Sequence, residues 1–137
     1  MEASGVKIID DMVELIDNRF YLIGRMDLGM SGMTKRATLE ELLAEVNPDY
    51  PIILLDHRPT TVEEGIGSIV DLQISGHTHA GQIFPGNLMV GWFNDVGYGM
   101  KVYDDFHVIV SSGYGTWGFP VRVGSHCEVV NVTLKSK

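Results

Sequence analysis

Three of the five histidines, His57, His77 and His79, stand where a protein could hold a metal ion. His57 comes just after the apolar run Ile52-Ile53-Leu54-Leu55, and His77 and His79 follow Leu72-Gln73-Ile74-Ser75. Loops at the C-terminal ends of buried strands are where open α/β sheets bind their ligands. Residues i and i+2 of an extended loop point to one side, and Gly76 and Gly81 let the backbone turn tightly around this pair. Two histidines so placed can hold one metal, or one each of two neighbouring metals. Neutral imidazole suits Zn, Fe, Mn or Ni. The plainer alternative is a surface or hydrogen-bonded histidine, the usual state of a lone imidazole. His107, inside a strand pattern, and His126, in a turn, are read that way. For the trio, spacing alone leaves both readings open. Cys127 is the single cysteine, so neither an internal disulfide nor a thiolate metal site is expected.

The elements that must position these histidines follow from the apolar pattern. Met12–Ile16 and Phe20–Ile23 are short β-prone runs separated by Asp17-Asn18-Arg19, which predicts a hairpin. Residues 24–35 have no period and should form a loop. Thr38 and Glu41 form a capping box that opens a helix with Leu39, Leu42, Leu43 and Val46 on its buried face, ended by Pro48. Ile52–Leu55 is continuously apolar, the mark of a strand buried on both faces. Thr61 and Glu64 suggest a second capping box and a helix to about Val70, and Leu72–Ser75 is the next strand. Residues 76–100 are dense in glycine and are expected to be mostly loop, with Trp92, Phe93 and Tyr98 as a lid or lipid-facing surface. Phe106–Ser111 should be a strand, 112–124 a Gly-rich loop, and the alternating Glu128–Leu134 the last strand. Strand, helix and strand over residues 52–75 imply a parallel step that brings His57 beside His77 and His79, within a mixed α/β sheet flanked by helices.

Composition bounds the partners. A chain of 137 residues suits one domain, and 45% hydrophobic with 20% charged residues is globular rather than disordered. A formal net charge of -8 disfavours nucleic acid and anionic membranes as main partners. It would also repel a phosphate, unless cations at the site reverse the local field. No apolar run approaches the ~20 residues of a membrane helix, and the first residues lack the layout of a signal peptide. Met1-Glu2-Ala3-Ser4 looks like an arbitrary or internal beginning.

Several segments together resemble one family. Leu55-Asp56-His57-Arg58-Pro59 and the stretch from Asp71 to Pro85, which contains Ser75-Gly76-His77-Thr78-His79-Ala80-Gly81-Gln82, are similar to the calcineurin-like metallophosphoesterases. Ser112–Arg122 and Phe20–Arg25 resemble the branch of membrane-associated or exported bacterial phosphoesterases. The likeness covers nearly the whole chain. It implies that residues 1–137 are the C-terminal half of a four-layer α/β/β/α sandwich, a partial domain. It further implies a site for two divalent metal ions (Mn, Zn, Fe or similar), with His57 and His77 on one and His79 on the other. The substrate implied is a phosphomono- or phosphodiester, small or lipid-linked.

The family's other ligands come from an Asp-x-His, a Gly-Asp-x-x-Asp and a Gly-Asn-His. Asp105-Phe106-His107 fits the first by its letters but lies after the histidine loop, and Gly86-Asn87 is followed by Leu88. The hydroxide and the carboxylate ligands are therefore expected from a missing N-terminal half, and no residue here is assigned to substrate binding. Asp56 should point away from His57 and be structural. Arg58, where relatives commonly have Gln, is either a phosphate contact or a solvated loop charge; Gly24–Asp27 could lie near the pocket, and Trp117 should pack rather than stack on a substrate. The other readings are a non-catalytic half-domain that binds metal weakly or forms homo-oligomers, and a simple three-histidine zinc carrier. The relatives' membrane association leaves the compartment open.

Overall fold

A computed structural model describes residues 4–27 and 35–135. Its centre is a six-stranded mixed sheet built from β1 (Met12–Ile16), β2 (Phe20–Gly24), β3 (Ile52–Leu55), β4 (Leu72–Ser75), β5 (Gly99–Tyr103) and β6 (Phe106–Val110), in the order β1-β2-β3-β4-β6-β5. β2, β3, β4 and β6 run parallel, and the antiparallel β1 and β5 close the two edges. The α/β class and the mixed sheet thus match the expectation from sequence, including the hairpin of β1 and β2 and the parallel step from β3 to β4.

The continuous apolar run of β3 is buried on both faces, with Ile52, Ile53 and Leu54 at 6% exposure or less. Two short helices lie on one face. α1 (Leu39–Leu43) begins at the expected capping box: the Glu41 amide donates to Thr38 Oγ1 at 3.1 Å, and the Thr38 amide to the Glu41 carboxylate at 2.8 Å. It buries Leu39 and Leu42 and ends at Leu43, so Val46 reaches the core from a turn rather than from a helix running to Pro48. α2 (Val62–Gly65) is one turn long, not a helix to Val70. Its expected capping box is absent because the Thr61 hydroxyl donates instead to buried Asp56, at 2.8 Å. These helices cover Ile23, Ile52, Leu54, Val108 and Val110, and together they form the core. Gly65 is needed there, since a Cβ would come within 2.3 Å of the Phe106 ring.

The opposite face carries Leu22, Ile53, Leu55, Leu72, Ile74 and Ile109, with Met12, Met100 and Val102 toward its edges. Met100 is 61% exposed and Val102 49%. Ile53 and Leu72 on this face are nonetheless buried, at 6% and 8% exposure, so the face is open toward its β5 edge rather than throughout.

Three expectations for the C-terminal half are corrected. Residues 76–100 are more ordered than expected: they contain a short 3-10 turn at His79–Gly81, α3 (Gly86–Phe93) and the start of β5. Glu128–Leu134 alternates like a strand but forms no ladder among the described residues and is largely exposed; the Glu128 amide alone donates to a neighbouring backbone, the Gly113 carbonyl, at 3.1 Å. Trp117 does not pack; it is 76% exposed. Of the expected loop 24–35, residues 28–34 lie outside the described residues.

Candidate metal centre

The parallel pairing of β3 with β4 places the loop of His57 beside that of His77 and His79. The join is direct: the Gly76 amide donates to the His57 carbonyl at 3.0 Å, and the Asp56 amide to the Ile74 carbonyl at 3.2 Å. His77 Nδ1 lies 3.3 Å from His57 Nε2, with the rings edge-on at 81°. Two nitrogens bound tetrahedrally at ~2.0–2.1 Å from one cation would stand about 3.3 Å apart, so this pair has the spacing of two ligands on one ion. His79 faces elsewhere, with Nδ1 3.4 Å from Arg122 Nη2. The structure therefore brings His57 and His77 together and sets His79 beside an arginine. Among the described residues, no three His, Cys, Asp or Glu side chains gather into a metal-holding group.

The loop from His77 to Gln82 is held in an unusual conformation. His77, His79, Ala80 and Gln82 all have positive φ, at 64°, 49°, 50° and 26°. Side chains with a Cβ rarely adopt this region, at about 1–3 kcal/mol per residue, and it persists only where the surroundings enforce it. The enforcement is visible. Gln82 is 7% exposed. Its amide nitrogen donates to the carbonyls of Trp117 and Phe119 at 2.8 and 3.2 Å, and its oxygen accepts from the Trp117 amide at 2.6 Å. Arg122 donates to the carbonyls of His79 at 3.1 Å, Ser112 at 2.7 Å and Gly113 at 3.2 Å, and also to that of Gly115. Glu128 adds a clasp, accepting from the Ser112 amide at 2.9 Å, the Ser111 hydroxyl at 3.1 Å and the Tyr98 hydroxyl at 2.9 Å. Gly81 has φ of 71°, and a Cβ there would stand 2.3 Å from the backbone of Gly86 and Asn87.

Beneath His57 lies a buried ion cluster. Asp56 is 1% exposed and accepts from Arg36 at 3.1 and 3.2 Å, Thr61 at 2.8 Å, the Arg58 amide at 3.3 Å and, more distantly, Arg25 at 3.5 Å. Arg25 also pairs with Glu64 at 2.9 Å and donates to the Ala37 carbonyl at 3.2 Å. Asp56 is structural, as its place before His57 suggested. Its two arginine partners had no local signature, because residues 20 and 31 positions away supply them. The 24–27 segment does reach the site: Asp27 accepts from Arg58 Nε at 2.8 Å.

These charges act on the histidines. Desolvation by the surrounding loops, then the Arg58 guanidinium and His57, hold His77 below the usual histidine range, with Asp27 opposing. Desolvation, then Arg122 and His57, do the same for His79. Both rings are thus biased toward the neutral form a metal requires. The exposed Cys127 and His107, which sits within β6, take no part.

Comparison with known proteins gives one consistent result. The chain is 38% identical over 101 residues to a transmembrane protein with metallophosphoesterase domain from Bos taurus, covering 72% of this chain and 23% of that protein. It is 33% identical over 141 residues to an uncharacterised metallophosphoesterase of Aquifex aeolicus, covering 100% of this chain and 54% of the relative. It is also 39% identical over 153 residues to an uncharacterised metallophosphoesterase of Campylobacter jejuni, covering 97% and 39%. The chain therefore spans from about a quarter to about half the length of these relatives. No family model and no solved structure matches it.

Proposed function

This chain belongs to the calcineurin-like metallophosphoesterase family, and we propose that it is the C-terminal portion of a two-metal phosphoesterase that hydrolyses phosphomono- or phosphodiester bonds. The observation that carries this reading is the 3.3 Å approach of His77 to His57 across the ends of β3 and β4. His57 and His77 would hold one divalent ion and His79 the other. When bound, such ions generate a hydroxide and clamp the phosphoryl oxygens. The protein's own contribution is to bias His77 and His79 toward the neutral form, to fix the spacing of His57 and His77 through the strand ends, and to lock the strained loop with Gln82 and Arg122.

Two close cations need carboxylates to offset their repulsion, and among the described residues none joins the three histidines. Those ligands would come from the rest of the polypeptide. By itself this chain should bind one metal weakly and hydrolyse little or nothing. The substrate proposed is a small or lipid-linked phosphoester. The test is an assay of the full-length protein with Mn and a general phosphodiester, beside metal analysis of His77→Ala. Activity that falls with metal content at His77→Ala is expected. An inactive full-length protein whose His77→Ala variant keeps all its metal would refute the reading.

The exposed sheet face supports a second reading, in which the chain acts as a non-catalytic half-domain that associates through Met100, Val102 and their neighbours. Light scattering separates the two: a clean monomer that binds metal counts against association.

A further inference from the structure

Four arginines surround the histidine loops, and in three both terminal nitrogens are engaged. Arg25 and Arg36 meet Asp56, Glu64 and backbone carbonyls. Arg122 is spent on the carbonyls of the 112–115 loop and on His79. Arg58 differs. It follows His57 directly, its side chain is 38% exposed, and only its Nε is engaged among the described residues, by Asp27 at 2.8 Å. Asp27 is itself 15% exposed, so the anchor is the less exposed partner and the guanidinium is the more accessible one.

A guanidinium held at Nε keeps a planar edge, Nη1 and Nη2, whose two donors match two oxygens of a phosphate. The placement is otherwise costly. A fixed cation next to a cation site weakens metal binding by like-charge repulsion. An anion shared between the metal and Arg58 reverses this sign. We propose that Arg58 is the phosphate-binding residue of this site, with Asp27 fixing Nε so that the Nη1–Nη2 edge takes two oxygens of the phosphoester. The proposal rests on the metal-dependent phosphoesterase reading above. It goes further by assigning the substrate's phosphoryl oxygens to a residue of this chain.

The test is a pair of Mn2+ titrations of the 137-residue chain, read by the EPR signal of free Mn2+, without and with methylphosphonate. Arg58→Gln should bind Mn2+ alone about threefold more tightly. It should lose about tenfold in methylphosphonate affinity for the Mn2+-loaded protein. Arg58→Lys keeps the charge but not the fork, so it should restore the wild-type value for Mn2+ alone while leaving methylphosphonate weak. Unchanged methylphosphonate binding in Arg58→Gln overturns the proposal. So does Mn2+ binding weakened equally with and without the anion, which would mark Arg58 as structural. His77→Ala separates this failure from failure of the underlying reading. If it leaves Mn2+ binding intact, the metal site is wrong; if it abolishes Mn2+ binding while Arg58→Gln changes nothing, only the role of Arg58 is wrong.

Discussion

Asp56→Ala should be among the most damaging single substitutions in the chain, although Asp56 touches no metal candidate. The carboxylate is 1% exposed and answers two arginines, a hydroxyl and an amide. Without it, Arg36 and Thr61 can turn toward solvent, but Arg25 cannot, since its side chain is 3% exposed. Breaking a buried ion pair from one side costs about 3–5 kcal/mol. Arg25 keeps Glu64 at 2.9 Å and the Ala37 carbonyl at 3.2 Å, which puts the expectation at the low end, about 3 kcal/mol. Against a typical domain stability of about 5–15 kcal/mol, that is a large fraction. Urea unfolding followed by circular dichroism measures it, as a lower midpoint with an unchanged slope. Glu64→Ala is the internal control: this carboxylate is 43% exposed, and its loss should cost about 1 kcal/mol or less. Removing both charges with Arg25→Met and Asp56→Leu should recover most of the loss, because the buried cation is then gone. Asp56→Ala within 1 kcal/mol of wild type, or Glu64→Ala as costly as Asp56→Ala, would refute this account of the cluster.

Two further expectations concern the site loops. Gly81→Ala adds a methyl group 2.3 Å from the backbone of Gly86 and Asn87 at a φ of 71°, so the loop and the start of α3 must separate. A loss of about 3 kcal/mol or more is expected from left-handed strain and overpacking together, and a chemical-denaturation midpoint equal to wild type would contradict it. Stability of the metal-free protein should fall on acidification. His77 and His79 are held below the usual histidine range, so as pH drops through that range the unfolded chain takes up protons before the folded one does. The stability is therefore fully present above the ordinary histidine value and declines below it. Denaturation midpoints at pH 7.5 and 5.5 check the sign, and His77→Gln with His79→Gln should flatten the difference; a midpoint that rises on acidification would be the wrong sign.

How much of this was legible in the sequence depended on how local the cause was. The apolar run 52–55 needs only its own residues to declare itself a central strand, and the capping box of Thr38 and Glu41 is three residues long. The approach of His57 to His77 was also within reach, because a parallel crossover puts consecutive strand ends side by side. Where the cause lies at a distance, the letters are silent or misleading. Thr61 and Glu64 spell a capping box, yet the Thr61 hydroxyl goes to Asp56 and Glu64 goes to Arg25. Glu128–Leu134 alternates like a strand but joins no sheet among the described residues, and Glu128 serves as a clasp on Ser111, Ser112 and Tyr98. α3 was hidden because Gly86 and Gly91 break its pattern and no side chain caps its start.

The loop of His77 and His79 joins both cases. Its histidines mark it as a site, but nothing local announces four non-glycine residues with positive φ. Such a backbone cannot hold itself. Gln82 and Arg122 hold it by gripping carbonyls 7 to 43 positions away. The placing of these histidines is therefore a property of the 112–122 segment as much as of their own loop. A substitution at Arg122 should disturb the geometry around His79 even though Arg122 need never touch a metal.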